Sequence, residues 1–186
     1  MKCTKANITL LSLIFMMFLT GAYAQDDEKP WRADEKLSWS DFKGEPDFEH
    51  PYAAITYSGM SYGFSAEIVN GKVWVKYDVK SFFVANKSWV KRWFSRDKEL
   101  LEHEQLHFDI TELYARKFRK RLSEMSFTEN VKSEIKEVYR NITAEKVKLQ
   151  KLYDIETDHS KQEVAQKKWQ LKIDTELKNL INFASK

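Results

Sequence analysis

The spacing of apolar positions changes character once along this chain. Up to about residue 82 it alternates or runs in short stretches rich in β-branched and aromatic residues. Leu37-Ser38-Trp39-Ser40-Asp41-Phe42 repeats in period two, and residues 53–65 are rich in Ile, Thr, Tyr and Phe. Both read as strands, because successive strand side chains point to opposite faces. Asn70-Gly71 separates two more such runs, 64–69 and 73–79. This predicts a hairpin, since a two-residue type I′ turn needs positive φ at both central positions. Lys43-Gly44-Glu45-Pro46-Asp47 reads as a loop.

From about Ser88 onward Gly and Pro vanish, and the apolar spacing becomes three to four. Helices are expected at 96–125, 128–151 and 161–183, with breaks at 127–130 and 153–160. Ser95 followed by Asp97 and Glu99 suits the first helix start, and Thr128 the second. In the first helix Leu100, His103, His107, Ile110, Tyr114, Phe118, Leu122 and Met125 form one stripe. Lys98, Glu102, Gln105, Asp109, Glu112 and Arg116 form a polar face expected to point elsewhere. The second helix aligns Val131, Ile135, Val138, Ile142, Leu149 and Leu152, with Glu145 among them. The expected fold is α+β, with an N-terminal antiparallel sheet packed on a C-terminal layer of three long helices.

The N-terminus stands apart from this pattern. Lys2 and Lys5 precede a nearly unbroken apolar run from Ile8 to Leu19, and Ala22-Tyr23-Ala24 offers a small-residue cleavage site. Residues 1–24 therefore read as a secretory signal peptide, the run being short for a spanning helix. A secreted or periplasmic protein is expected, with residues 25–186 as a single domain: 25–87 mainly strands and 88–186 mainly helices. Cleavage removes Cys3, the one cysteine, so no disulfide forms. It also removes two lysines from a chain of net charge +3, leaving 29 basic against 28 acidic residues. That balance gives no ground for a nucleic-acid partner, and no stable membrane span is expected after cleavage.

Histidine is scarce: His50, His103, His107 and His159 are all there are. Two of them stand four apart within His103-Glu104-Gln105-Leu106-His107. On a helix, positions i and i+4 share a face, so both imidazoles can grip one zinc ion. The intervening Glu104 is then placed as a general base for water. A third ligand is required. Six residues beyond His107 stands Leu113, which excludes the metzincin spacing. A second helix running back antiparallel returns residues 145–159 to the level of the pair. That leaves His159 and Glu145 as candidates.

Three blocks carry a family resemblance. The first is Leu37-Ser38-Trp39-Ser40-Asp41-Phe42-Lys43-Gly44 with Ala53-Ala54-Ile55-Thr56-Tyr57-Ser58-Gly59. The second is Ser88-Trp89-Val90 leading to Leu101-Glu102-His103-Glu104-Gln105-Leu106-His107-Phe108-Asp109-Ile110. The third is Tyr153-Asp154-Ile155-Glu156-Thr157-Asp158-His159-Ser160, with Gln166 and Trp169 after it. In these the chain resembles a bacterial secreted family described as zinc-dependent protease-like, domain of unknown function family 922. Ser160 departs from the glycine usual there. The resemblance implies a zincin-like peptidase domain and favours His159 as third ligand.

The expected function is that of a secreted zinc metallopeptidase acting on a peptide or protein: His103, His107 and His159 hold Zn2+, and Glu104 is the base. The alternative is a non-catalytic envelope protein with a structural metal and a partner-binding groove. Tyr153 and Asp154 can be read as groups near the metal, stabilising an oxyanion or fixing a histidine tautomer, or as formers of the turn before the third helix. His50 is expected to be exposed. Trp31, Trp39, Trp74, Trp89 and Trp93 are expected to pack in the core and hairpin. Lys117, Arg119, Lys120 and Arg121 are read as complementing a helix C-terminus.

Overall fold

The computed structural model describes residues 27–185; the signal-peptide reading of residues 1–24 lies outside them. Strands β1 (Glu28–Pro30), β3 (Ser58–Val69) and β4 (Lys72–Val84) form an antiparallel sheet in the order β1-β4-β3. Strands β2 (Ala54–Ile55) and β5 (Trp89–Val90) form a second antiparallel pair. Helices α1 (Lys98–Ser123), α2 (Val131–Thr157) and α3 (Glu163–Asn179) complete the α+β arrangement. No helix among the described residues is long and apolar enough to cross a membrane.

The β3–β4 hairpin closes at Asn70-Gly71, with φ of 52° and 75°, as a type I′ turn demands. Leu37–Phe42 is not a strand. Residues Trp39–Asp41 form a 3-10 helix, closed by a capping box in which Asp41 accepts from the Ser38 N–H and Ser38 Oγ–H. Local Ser and Asp side chains here offer the backbone partners that a ladder would otherwise supply. Gly44 follows, where an added Cβ would stand 2.9 Å from the Ser88 carbonyl oxygen. Only glycine allows that close approach.

Helix α1 is the centre of the molecule. It packs against β3 and β4 on one side and against α2 and α3 on the other. Ile110, Leu113, Phe118 and Leu122 meet Met60 and Val79 of the sheet, and Ile135, Ile142, Trp169 and Ile173 of the other helices. A smaller cluster of Leu37, Phe42, Phe83, Ala85 and Phe108 lies on the flank.

This central position overturns most of the expected polar face of α1; Lys98 and Glu102 are exposed as expected, but the rest is not. Gln105, Asp109, Glu112 and Arg116 are all buried. They form a spine of two hydrogen-bonded groups, joined where Arg116 lies over the Trp31 ring at 5.3 Å, rather than a solvated surface. Gln105 accepts from the Leu37 N–H and donates to Asp109, which also accepts from Trp31 Nε1. Glu112 accepts from Ser81 Oγ at 2.6 Å, from Arg116 Nε at 2.8 Å and from Arg119 Nη1 at 3.3 Å. Of the basic cluster, Lys120 and Arg121 stand in the last turn of α1 as expected, and the others find partners. Arg119 is buried and donates to the carbonyls of Val79 and Phe183, while Lys117 pairs with Glu176 and Arg121 with Glu145.

Helix α2 begins at Val131 with Asn130 as its N-cap position, and Asp97 rather than Ser95 caps α1 by accepting from the Leu100 N–H. More consequential is the other end of α2. It does not stop near 151 but continues through Thr157, and Asp158 is its left-handed C-cap. His159 and Ser160 follow with φ of 52° and 80°. Three consecutive non-glycine residues thus hold positive φ, each costing on the order of 1–3 kcal/mol.

Candidate metal centre

His103 and His107 lie on the face of α1 that meets the C-terminal end of α2. Because α2 remains helical to Thr157, Gln150, Tyr153, Asp154 and Thr157 share one of its faces at three-to-four spacing. That face meets α1 at the histidine pair. Gln150 donates to the His107 carbonyl, and Tyr153 Oη lies 3.3 Å from the His103 carbonyl oxygen.

The result is a tight group of three ligand-bearing side chains: His103, His107 and Asp154. His107 Nε2 is 2.9 Å from Asp154 Oδ1, His103 Nε2 is 3.2 Å from the same oxygen, and the two Nε2 atoms are 3.3 Å apart. A tetrahedral ion with bonds of about 2.0–2.1 Å separates its ligand atoms by about 3.3–3.4 Å. The observed triangle is close to that size. Two nitrogens and a carboxylate oxygen also make a donor set suited to zinc.

The surrounding groups fix these atoms. His103 Nδ1 faces Gln166 Oε1 at 3.2 Å, and Gln166 in turn accepts from Tyr153 Oη–H at 2.7 Å. Donation from Nδ1 to Gln166 leaves the Nε2 lone pair aimed at the triangle, the usual way an outer partner sets a ligand tautomer. The Tyr153 ring stacks on the His103 ring at 4.5 Å. Glu104 is buried beside the pair, and its Oε2 has no hydrogen-bond partner among the described residues. A buried carboxylate oxygen without a partner calls for a ligand, water or ion.

Charge coupling is strong here. Burial pushes the Asp154 carboxyl up, but hydrogen bonds and charge from His103 and His107 win, and hold it well below the usual carboxylate range. Burial disfavours the charged His107 imidazole, but Asp154 and Glu104 outweigh it and raise the pKa. Burial drives the Tyr153 phenol far up, against the pull of its Gln166 hydrogen bond. Tyr153 therefore stays neutral, and it is fully enclosed. It supports His103 and is not an exposed oxyanion group.

His159 stands further out. Its Nδ1 is 3.8 Å from Asp154 Oδ1, and its ring packs on Tyr52 at 4.3 Å. It lines the same cleft of about 600 Å³ as His103, Glu104, His107 and Asp154, on the rim rather than in the triangle. Glu145, the other ligand candidate, is excluded. Both its oxygens are taken by Arg121, at 3.0 and 2.9 Å. Arg121 lies roughly 20 Å along α1 from His107 at about 1.5 Å per residue. His50 is half-buried, edge-on to Tyr52 and Trp89.

Residues 76–160 match the family model described as "Bacterial protein of unknown function (DUF922)". The match to DUF922 runs from within β4 through the left-handed turn, and so takes in His103, Glu104, His107, Asp154 and His159. Gln166 falls just beyond it. No curated protein and no solved structure matches the chain.

Proposed function

We propose that this protein is a zinc-dependent hydrolase of amide bonds, with peptides as its substrates, acting outside the cytoplasm. The observation that carries this reading is the triangle of His103 Nε2, His107 Nε2 and Asp154 Oδ1, with the partnerless Glu104 carboxylate beside it in an open cleft. In this reading His103, His107 and Asp154 hold the ion, and His159 lies on the substrate side. Zinc supplies Lewis acidity, acidifying water and polarising a carbonyl. Secretion rests on the N-terminal sequence.

The chain's own residues then divide the work. Gln166 and Tyr153 hold the His103 ring in orientation. Glu104 Oε2 takes a proton from the attacking water and returns it to the amide nitrogen as the C–N bond breaks. Oxygen and one hydrogen of the water end on the carboxyl product, and the transferred proton ends on the amine. The cleft wall, which includes Leu100 and Ile55, limits bulk water around the reacting amide.

The test is Glu104→Gln. Removing a general base lowers kcat by about 10²–10⁴-fold, whereas bound zinc should stay at wild-type content. Undiminished hydrolysis in that variant rejects the mechanism. A second reading, a closed structural metal site without catalysis, draws on the nearness of His159 to Asp154. Four protein ligands with no open position would mark it.

A further inference from the structure

Three large aromatic side chains stand exposed at or beside the mouth of the same cleft. Trp93 is 68% exposed, Phe48 59% and Tyr52 39%. None serves the core. Phe48 and Trp93 lie against each other at 5.8 Å, and Tyr52 covers the His159 ring at 4.3 Å. Trp93 and Tyr52 line the cleft itself, together with the apolar side chains of Phe94, Ala54, Ile55 and Leu100. The same cleft presents polar groups from Gln150, Asp154, His159, Ser160 and Lys161.

The segment bearing Phe48 and Tyr52 is held in place by an unusual device. Lys91 is buried, and its ammonium donates to the Phe48 carbonyl at 3.3 Å and the His50 carbonyl at 2.5 Å. Its own N–H donates to the Ala53 carbonyl at 2.8 Å. Burying a lysine charge is expensive unless the charge is well hydrogen-bonded. Here it fixes a loop whose aromatic groups face solvent. Fixed exposed aromatics beside polar groups are the composition of a ligand site, in which apolar area gives affinity and a few polar groups give orientation.

We infer that this apolar lining is a side-chain subsite, and that the substrates are peptides with a bulky apolar or aromatic side chain next to the cleaved amide. The inference rests on the hydrolase reading. Trp93 and Tyr52 are the specificity-determining residues, and the polar groups of the cleft take the peptide main chain. Trp93 is exposed, so its truncation leaves the fold intact.

The experiment measures binding and cleavage separately. Zinc-loaded Glu104→Gln protein is titrated with short blocked peptides that differ at one position, carrying Phe, Leu, Ala, Asp or Lys. Cleavage of the same set is followed with wild-type protein. The expected result is at least tenfold tighter binding of the Phe and Leu peptides than of the Ala, Asp and Lys peptides. Trp93→Ala should abolish that preference, bringing the affinity for the Phe and Leu peptides down to that for the Ala peptide. Equal binding across the set, preference for a charged side chain, no peptide binding, or binding of an oligosaccharide instead overturns the subsite. Cleavage without side-chain preference leaves the hydrolase reading standing and removes this one. Selective binding through Trp93 without cleavage removes the hydrolase reading and leaves an apolar side-chain subsite that serves binding alone.

Discussion

His107 on α1 and Asp154 on α2 meet at 2.9 Å, Nε2 to Oδ1, and the same carboxylate oxygen reaches His103 at 3.2 Å. Without a metal, protons must occupy this convergence, since the imidazole lone pairs and the carboxylate would otherwise repel. The shifted pKa values express that: His107 is raised and Asp154 is lowered.

The pH dependence of the metal-free protein follows. A raised histidine contributes stability that is complete below its unfolded value of 6.5 and lost as pH rises through the folded value. A depressed carboxylate contributes stability present above its unfolded value of 3.8 and lost as pH falls through the folded one. Chelator-treated protein should therefore gain most from this pair between those values, and its Tm should decline as pH rises beyond the upper one. In Asp154→Asn that pair-dependent rise and fall should flatten. Zinc affinity should move the other way, rising with pH as the His107 proton leaves. Calorimetry across pH, with and without zinc, checks both.

The two outer candidates separate by mutation. Asp154→Ala should weaken zinc binding far more than His159→Ala, because Asp154 touches both Nε2 positions and His159 touches neither. Competition with a chelating dye measures the two affinities. A larger loss in His159→Ala would return the third-ligand role to His159.

Replacing Gln166 by Leu removes the acceptor for His103 Nδ1 and for Tyr153 Oη. Loss of such an outer partner lowers metal affinity by about 10–100-fold. The same competition measurement applies, and an unchanged affinity would show that Gln166 does not set the His103 orientation.

Glu112 tests the buried spine. It is 1% exposed and holds Arg116 and Arg119. Glu112→Ala leaves two guanidinium groups without their carboxylate, a loss of about 3–5 kcal/mol. Denaturant unfolding measures it, and a change below about 1 kcal/mol would mean the spine is solvated.

The histidine pair, Glu104 and the hairpin were readable from the chain because each is local: an i, i+4 spacing on one helix, and a turn dipeptide between strand-like runs. The fate of Gln105, Asp109 and Glu112 was not. An amphipathic pattern assumes one buried face, whereas α1 is enclosed by a sheet, two helices and the 31–42 segment, so its polar side is buried too. The sequence pattern reads Asp154 either as a group near the metal or as a turn former, because it ends the second helix near 151 rather than at Thr157. Residues 153–157 contain no Gly or Pro, and that continuity was the available sign that α2 runs on and turns Asp154 toward α1. Trp93 was expected inside, yet it stands exposed; nothing in its neighbouring residues distinguishes a core tryptophan from one on a cleft rim.

The central claim is that the His103–His107–Asp154 triangle is a metal site. Native mass spectrometry of purified protein, before and after chelation and zinc addition, tests it most directly. The wild type should carry one zinc per chain, removed by chelator and restored by added zinc, and the double variant His103→Ala/His107→Ala should carry none. A wild-type protein that takes up no zinc, or a double variant that still holds one, would contradict it.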